Sequence, residues 1–394
     1  MYVSSLDRPW LETPFTLQGF RLQSEDDIHR LQEYCQYVYV DASKSQQDAA
    51  IIRRKMRNRA RRSNEELFKN RTLKKYTDAC SWDEEYPGAL RAVMTLSKGI
   101  EVIYDKMAAS LVLDMVTVKQ CIEPMVESMV RHTGPCIWLV RLKQEDRYTY
   151  QHPLGAAIWA VALGRQLGLP KTDLRTLAIG GLLFDIGKLG VDPELLQTTR
   201  QLSDAEFQQV RNHVKLGVEM IQGSTLMNTD VIDMITYHHE RHDGSGYPKG
   251  LRGDDIPVFA RIAAIVDCYD AITSHRGYAS AIAPSTAIKM LYEWKDIDFQ
   301  GELVEEFIQA VGVYPAGTLV ELSNREVGVV MAAYRESRLR PRLLVLLDAD
   351  KKPLDQPRTL DLKHVTKAPD GSPLEIRSSL EPGAHDIDMA RIPI

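Results

Sequence analysis

Histidine and aspartate side chains that could bind a metal ion are concentrated in the middle of this 394-residue chain. Five of the ten histidines fall between positions 152 and 242, and two of them form the adjacent pair His238-His239. A single histidine on an apolar helix is usually a core residue, but an adjacent pair combined with a buried aspartate favours a metal site. Imidazole and carboxylate ligands without thiolates suit Fe, Mn, Zn, Ni or Co. Two such ions, roughly 3.5–4 Å apart, would activate hydroxide for attack on phosphorus.

Asp267 is the aspartate that most needs a cation. It lies within the apolar run predicted as a helix from Phe259 to Ile272. A buried carboxylate without a partner is strongly unfavourable, so we expect Asp267 to bind the metal. Asp270, one turn on, either supports the site or accepts a helix-packing hydrogen bond. Lys188, which closely follows Asp185, either neutralises a phosphate oxygen or is a surface lysine in a glycine-flanked loop.

The candidate residues lie on or beside predicted helices, because apolar side chains recur around them at three- and four-residue spacing. His152 begins one helix and Asp185 ends a second. His213 lies in a third helix, which follows a capping box at 203–206. The pair His238-His239 ends a fourth. The sequence therefore places the chemistry on a framework of helices.

The chain is predicted to be mainly α, in three parts. Residues 1–130 form a small α+β regulatory domain with a basic linker near 53–75, and residues 131–315 form the helical bundle. In residues 316–394 the apolar period changes to two, which predicts a short β element of three strands, and the tail from Lys351 is expected to be irregular or only peripherally docked. The basic block is interpreted as a solvated linker rather than as a site for an anionic partner.

The composition is that of an ordinary globular protein, with 44% hydrophobic and 26% charged residues. A net charge of -5 implies neither a nucleic-acid nor a membrane partner. No stretch reaches the roughly 18 apolar residues of a membrane span, and the N-terminus lacks the layout of a signal peptide. The five cysteines are scattered and form no CxxC pair, which argues against a disulfide framework and a thiolate zinc site. We therefore expect a cytoplasmic protein.

Several motifs together resemble the HD-GYP family, which are bacterial cyclic-di-GMP phosphodiesterases within the HD hydrolase superfamily. The resemblance covers 148–315 and rests on the spacing of Leu183-Phe184-Asp185-Ile186-Gly187-Lys188, the two histidine helices, Asp243-Gly244-Ser245-Gly246-Tyr247-Pro248, and Asp267-Cys268-Tyr269-Asp270. It implies an HD-type helical bundle. Residues 1–130 resemble the domain of unknown function that often precedes HD-GYP domains.

The resemblance also implies roles for individual residues. Asp185 would bridge two divalent ions, Fe or Mn, with His213, His238 and His239 completing one site and His152 and Asp267 serving the other. Lys188 would lie near the scissile phosphate, and Arg276 would contact a substrate phosphate. The loop would shape the guanine side of the pocket or contact GGDEF-type cyclases through Asp243, Gly246, Tyr247 and Pro248. The apolar helices near 90–130 are compatible with a homodimer.

Three positions depart from the family pattern. Phe184 replaces the histidine of the HD doublet, and a phenyl ring has no lone pair for a metal, so one site loses a ligand. Tyr148 replaces a glutamate that holds a third metal in some relatives, and Ala279 replaces a basic residue after the family's Arg-Pro-Tyr.

Two functions therefore stay open. The first is a metal-dependent phosphodiesterase that hydrolyses cyclic di-GMP to pGpG or GMP with weakened activity. The second is a catalytically impaired regulator that binds the nucleotide or a partner protein. An HD hydrolase of another phosphate ester is disfavoured by the Gly-Ser-Gly-Tyr-Pro segment.

Overall fold

The computed structural model describes residues 2–6, 20–22, 29, 31–32, 34–35, 38–40, 62–110, 113–142, 148–198, 200, 202–222, 228–274, 281–334 and 336–392. These residues fall into two compact units. One comprises 1–62, 191–210 and 276–280, and the other comprises 63–190, 211–275 and 281–394. Arg276, of which a phosphate contact is expected, lies outside the described residues.

The first unit contains a small antiparallel sheet. Its strands are β1 (Tyr2–Leu6), β2 (Phe20–Arg21) and β3 (Val38–Val40), in the order β2-β1-β3. Val3 on β1 is fully buried and packs against Leu31.

The chain is mainly helical, as predicted. In chain order the helices are α1 (Asn64–Leu67), α2 (Trp82–Ser110), α3 (Met115–Arg131), α4 (Thr133–Leu142), α5 (Tyr148–Gln166), α6 (Lys171–Leu183), α7 (Pro193–Gln197), α8 (Asp204–Arg211), α9 (His213–Ile221), α10 (Thr229–Tyr237), α11 (Val258–Thr273), α12 (Pro284–Glu293) and α13 (Gly301–Val311). A short 3-10 helix, Ile186–Gly190, follows α6. Among these described segments, no helix combines the length and apolarity that crossing a membrane requires.

Helix α5 forms the centre of the bundle. Its residues from 152 to 163 are all buried, which is typical of a helix surrounded on every side. It packs against α6, α11 and α13. Helices α2 and α3, which the predicted boundary at residue 130 assigns to the N-terminal domain, share this hydrophobic core. The domain boundaries as a whole stay a prediction.

Three helix beginnings show why the chain folds locally as it does. The Asp114 side chain accepts hydrogen bonds from two backbone N–H groups at the start of α3, and Asn228 accepts one at the start of α10. Ser203 and Glu206 form the predicted capping box, because each side chain bonds the other residue's backbone N–H at the start of α8. Helix α8 ends at Arg211, and His213 begins the separate helix α9.

A five-stranded antiparallel sheet follows the bundle. Its strands are β4 (Leu319–Leu322), β5 (Val327–Ala332), β6 (Arg342–Leu347), β7 (Pro353–Asp361) and β8 (Ile376–Leu380), in the order β7-β6-β5-β4-β8. The three predicted strands are β4, β5 and β6. The prediction of an irregular tail is wrong in two places, where the chain forms β7 and β8. Both are edge strands: six of the nine side chains of β7 are exposed and none of the five of β8 is buried, so they lack the apolar alternation that marks a buried strand.

The basic segment is described from residue 62 onward, and this part lies against the bundle. The Lys74 N–H donates to the Gly168 carbonyl at 2.8 Å, and the Tyr76 hydroxyl donates to the Leu169 carbonyl at 2.9 Å. Arg71 forms ion pairs with aspartates of two bundle helices. This part differs from the solvated linker expected, because its backbone bonds the bundle and Arg71 is paired with two aspartates, whereas Lys69, Lys74 and Lys75 are exposed.

Candidate metal centre

The structure brings the six expected ligands together where five helices meet. Asp185 follows the end of α6, His213 begins α9, and His238-His239 follows α10; His152 lies on α5 and Asp267 on α11. Potential ligand atoms of Asp185, His213, His238 and His239 all lie within 4.8 Å of one another, and those of His152, Asp185 and Asp267 do the same. Asp185 belongs to both groups.

Asp185 lies at the middle of the site and is buried. Its Oδ1 lies 3.3 Å from His213 Nε2 and 3.6 Å from His238 Nε2. Its Oδ2 lies 3.2 Å from His152 Nε2 and 2.5 Å from Lys188 Nζ. Burial alone would raise the pKa of Asp185, but the Lys188 ammonium and the histidines outweigh it and hold that pKa well below its usual value. The group is therefore a carboxylate, the form that binds cations.

Hydrogen bonds to the backbone set the tautomer of His238. Its Nδ1 lies 3.1 Å from the Met234 carbonyl and 3.0 Å from the Ile235 carbonyl. Carbonyl oxygens only accept, so Nδ1 carries the proton. In the neutral ring, Nε2 then holds a lone pair, which faces Asp185 and the Nε2 of His213 at 3.4 Å. This is the tautomer that binds a metal through Nε2.

His152 is held in the same way by a carboxylate. Its Nδ1 lies 2.7 Å from Asp270 Oδ2, and Asp270 Oδ1 accepts from Trp159 Nε1 at 2.9 Å. His152 Nε2 faces oxygens of Asp185 and Asp267 at 3.2 and 3.3 Å. Both distances are longer than the about 2.7–2.9 Å that is typical of a hydrogen bond between a charged imidazole and a carboxylate. In a neutral ring whose Nδ1 proton goes to Asp270, Nε2 holds a lone pair that faces the two carboxylate oxygens, and a cation between the three groups would remove their mutual repulsion. The donors therefore fit a divalent ion.

Gly155 makes the approach of Asp270 possible. It lies one turn after His152 on α5, and a Cβ at that position would overlap the Asp270 carboxylate. Asp270 is the residue for which the sequence left two roles open. The structure shows it bonding both His152 and Trp159, so it supports the site directly.

His239 lies at the edge of the site. Its Nδ1 is 3.8 Å from Asp267 Oδ2, and its ring stacks on that of Tyr247 at 4.6 Å between centroids. Burial, with a further effect of His238, lowers the pKa of His239 well below its usual value, so the ring is neutral at pH 7. The Arg211 guanidinium lies over the Tyr247 ring, 4.6 Å from the ring centre.

Phe184 occupies the position next to both ligand groups. Its side chain is 1% exposed, stacks on His238 at 4.9 Å and meets the edge of His152 at 5.5 Å. The ring therefore fills the space between the two groups with carbon atoms. It offers neither group a donor atom.

The loop from 243 to 248 is held by carboxylates that accept backbone hydrogen bonds. Asp243 accepts from the Ser245 N–H at 2.9 Å. Glu240, 1% exposed, accepts from the N–H groups of Lys249 and Leu251 at 2.7 and 3.0 Å. Sequence reasoning missed this role of Glu240. The available signal was an acidic residue directly after the histidine pair, at the end of an apolar helix.

Two residues of the loop have distinct surroundings. A Cβ on Gly246 would overlap the backbone of His239 and Arg241, so only glycine lets the loop pass this close. Pro248 is exposed and follows a cis peptide bond. The loop thus packs on the metal centre at one end and reaches the surface at the other.

Comparison with known proteins identifies the family. Residues 136–301 match a family model described as an HD domain, 1–85 match a domain of unknown function, DUF3391, and 319–368 match a KOW domain associated with HD domain. The chain is 34% identical over 365 residues to a protein of Pseudomonas aeruginosa named cyclic di-GMP phosphodiesterase PA4108, covering 89% of this chain and 84% of that protein. The chain belongs to the HD-GYP family. The HD-GYP resemblance of the motifs and the DUF3391 resemblance of the N-terminal part are both confirmed.

Two other relatives match a shorter stretch of the chain. The response regulator RpfG of Xanthomonas campestris, named a cyclic di-GMP phosphodiesterase, is 34% identical over 37% of this chain and 39% of its own length. A Vibrio cholerae protein named 3'3'-cGAMP-specific phosphodiesterase 3 is 33% identical over 37% of this chain and 32% of its own length. The substrates in these names differ, although both are cyclic dinucleotides.

Proposed function

We propose that this HD-GYP protein is a metal-dependent phosphodiesterase that hydrolyses cyclic di-GMP to pGpG or GMP. The observation that supports this is the pair of ligand groups that share Asp185, with the Lys188 ammonium on the same carboxylate. A carboxylate between two groups of nitrogen and oxygen donors is the arrangement that two-metal phosphodiester hydrolysis uses. The relative matched over most of the chain is named for this activity.

The two groups differ in their donors. Asp185, His213, His238 and His239 would hold one ion, and His152, Asp185 and Asp267 would hold a second. Imidazole and carboxylate donors suit Fe or Mn, so one or two ions of this kind are our assignment. When bound, such an ion supplies a Lewis acid for a phosphate oxygen and acidifies a water molecule.

The residues around the ligands would bind and orient the substrate. Lys188 places a positive charge beside Asp185, where it would stabilise the charge that develops on a phosphate oxygen. Asp270 keeps the proton of His152 on Nδ1, so that Nε2 faces the reaction centre. Arg276 would contact a second phosphate. The loop of Asp243, Gly246, Tyr247 and Pro248 would line the guanine side.

Phe184 favours the second candidate function, a regulator with impaired catalysis. The group of His152, Asp185 and Asp267 has one nitrogen donor, and the neighbouring side chain that could add another is a phenyl ring. Loss of a supporting partner already costs metal affinity about 10–100-fold, and loss of a ligand should cost more. We therefore propose that turnover is weak. Contacts with GGDEF-type cyclases through the loop, a homodimer and a cytoplasmic location stay predictions.

The test compares wild type with Phe184→His, and uses Phe184→Leu as the control that removes the ring without adding a nitrogen. Bound Mn or Fe is counted by elemental analysis, and hydrolysis of cyclic di-GMP and 3'3'-cGAMP is measured side by side. We expect more ions per chain and faster hydrolysis in Phe184→His than in either of the others.

Each outcome separates the candidates. Equal metal content and equal rates in wild type and Phe184→His would refute the proposed weakening. Binding of cyclic di-GMP without hydrolysis in both proteins would select the regulator. A preference for 3'3'-cGAMP would correct the substrate. Absence of nucleotide binding in both would exclude both candidate functions.

A further inference from the structure

Arg71 lies where three helices of the bundle begin. Its Nε lies 2.6 Å from Asp173 Oδ2 on α6, and its Nη2 lies 2.5 Å from Asp230 Oδ2 on α10. The face of its guanidinium lies 4.7 Å from the ring centre of Phe259 on α11. Each of these partners is in the first turn of its helix. One side chain outside the bundle helices therefore touches three of their N-terminal ends.

The same three helices carry four of the candidate metal ligands further along. Helix α6 is followed by Asp185, α10 is followed by His238-His239, and Asp267 lies on α11. A rise of 1.5 Å per residue puts these ligands about 12–18 Å beyond the contacts with Arg71. The helices therefore run in the same direction, with their beginnings at Arg71 and their ligands at the metal centre.

Side-chain contacts between α6 and α10 fix the position of one helix relative to the other along their length. The Asn228 side chain donates to Thr176 Oγ1 at 3.2 Å near the beginnings. In the middle, Gly180 faces Met234, where a Cβ would overlap the methionine sulfur. A displacement at the beginning of either helix would therefore be carried to the ligands, because close-packed helices move as rigid bodies.

The positive charge of Arg71 is stable at this position because of its two carboxylate partners. A cation at the beginning of a helix opposes the helix dipole, and here it meets three such beginnings. The arrangement is favourable only because two carboxylates bind the guanidinium. Burial raises the pKa of Asp230, Arg71 lowers it, and the nearby charge of Asp173 raises it. Without Arg71 the two carboxylates would be left with no cation between them.

We propose that Arg71 is a positioning residue for the metal centre: it fixes the relative placement of the helices that carry Asp185, His238-His239 and Asp267. The residue lies within the match to DUF3391, which ends at residue 85, and not within the match to the HD domain. A segment outside the matched HD domain thus contributes to the geometry of its site. The inference rests on the metal binding in the proposed function and is independent of nucleotide hydrolysis.

The test uses Arg71→Met, with Arg175→Met as the matched control. Arg175 lies on α6 and makes two short contacts, at 2.6 and 2.7 Å, with Glu123, but it does not join the ligand-bearing helices to one another. Titration with Mn²⁺ is expected to show a roughly 3- to 10-fold weaker Kd for Arg71→Met. Arg175→Met should stay within about twofold of wild type, since exposed ion pairs contribute little.

Hydrogen exchange of the metal-free proteins gives a second readout that does not depend on Mn²⁺. Backbone amides at 184–190 and 238–242 should exchange faster in Arg71→Met than in Arg175→Met. Wild-type affinity together with wild-type exchange in Arg71→Met would overturn the proposal. If Arg71→Met does not fold, Asp173→Asn, which breaks one of the two ion pairs, is judged by the same criteria. If the wild type binds no Mn²⁺, the proposed function fails, and the exchange comparison still decides the role of Arg71.

Discussion

Replacing Asp270 by asparagine would change one atom of a buried carboxylate that holds a candidate ligand. In the wild type both oxygens accept, one from His152 Nδ1 at 2.7 Å and one from Trp159 Nε1 at 2.9 Å. An asparagine has one accepting oxygen and one donating nitrogen. If its nitrogen faces His152, the imidazole proton moves to Nε2 and blocks the metal. If its nitrogen faces Trp159, two donors oppose each other.

The expected magnitudes follow from these two bonds. A hydrogen bond to a charged group contributes about 1.5–3 kcal/mol, and an unsatisfied buried donor costs about 1–3 kcal/mol. Asp270→Asn should therefore lower the free energy of unfolding by about 2–3 kcal/mol, which a domain of ordinary stability survives. Loss of a carboxylate that orients a metal-binding histidine should weaken metal affinity by about 10–100-fold.

Mn²⁺ titration and thermal unfolding measure both effects. The control is Asp105→Asn, which removes a carboxylate that accepts the Tyr150 hydroxyl at 2.8 Å on the surface. The control should bind Mn²⁺ like the wild type. Unchanged Mn²⁺ affinity in Asp270→Asn, in a folded protein, would refute the assignment of the Nε2 lone pair of His152 to a metal.

Three further predictions concern close packing, pH and thiol reactivity. Gly155→Ala should displace Asp270 and weaken Mn²⁺ binding as Asp270→Asn does; wild-type affinity would contradict the overlap. Burial raises the pKa of Glu85, but Arg131 outweighs it, so the pKa is below the usual 4.5 in the folded protein. The stabilising contribution of the Glu85 carboxylate is thus present above pH 4.5 and lost as the pH falls through the pKa of the folded protein. The difference in Tm between wild type and Glu85→Gln should therefore shrink in acid. A difference that stays constant with pH would refute the pairing of Glu85 with Arg131. Burial raises the pKa of the Cys136 thiol to about 12, so a thiol reagent at about pH 8 should modify it only after denaturation, as mass spectrometry of labelled peptides would show.

The helical framework and the candidate ligands could be predicted from the sequence because their signals are local. Apolar spacing marks the helices, and aspartates or histidines at or beside helix ends stand out against it. The pair His238-His239 and the aspartate in the apolar run of α11 needed no knowledge of contacts. That Asp185 is shared by both ligand groups came from family resemblance, since nothing in the spacing alone relates α5 to α9.

Other features depend on long-range contacts and escaped prediction. The edge strands β7 and β8 are defined by hydrogen bonds to β6 and β4, while Leu360 is the one buried side chain of the two strands. Glu240 is important because it meets backbone groups nine and eleven residues later, which no periodicity reveals. Arg71 was one of many basic residues in a charged block. Its partners lie 102 and 159 positions away in sequence.

The hydrophobic core described above does not stop at the ends of the matched HD domain. It runs from Phe68 to Ile392 and includes Ile100 of α2, Met125 of α3 and Val329 of β5. A recombinant fragment cut to 136–301 would lose these partners and expose the apolar faces that they cover, which promotes aggregation. Failure of such a fragment to hydrolyse a nucleotide would then report lost packing rather than lost chemistry. Activity measurements on this protein should therefore use the full chain.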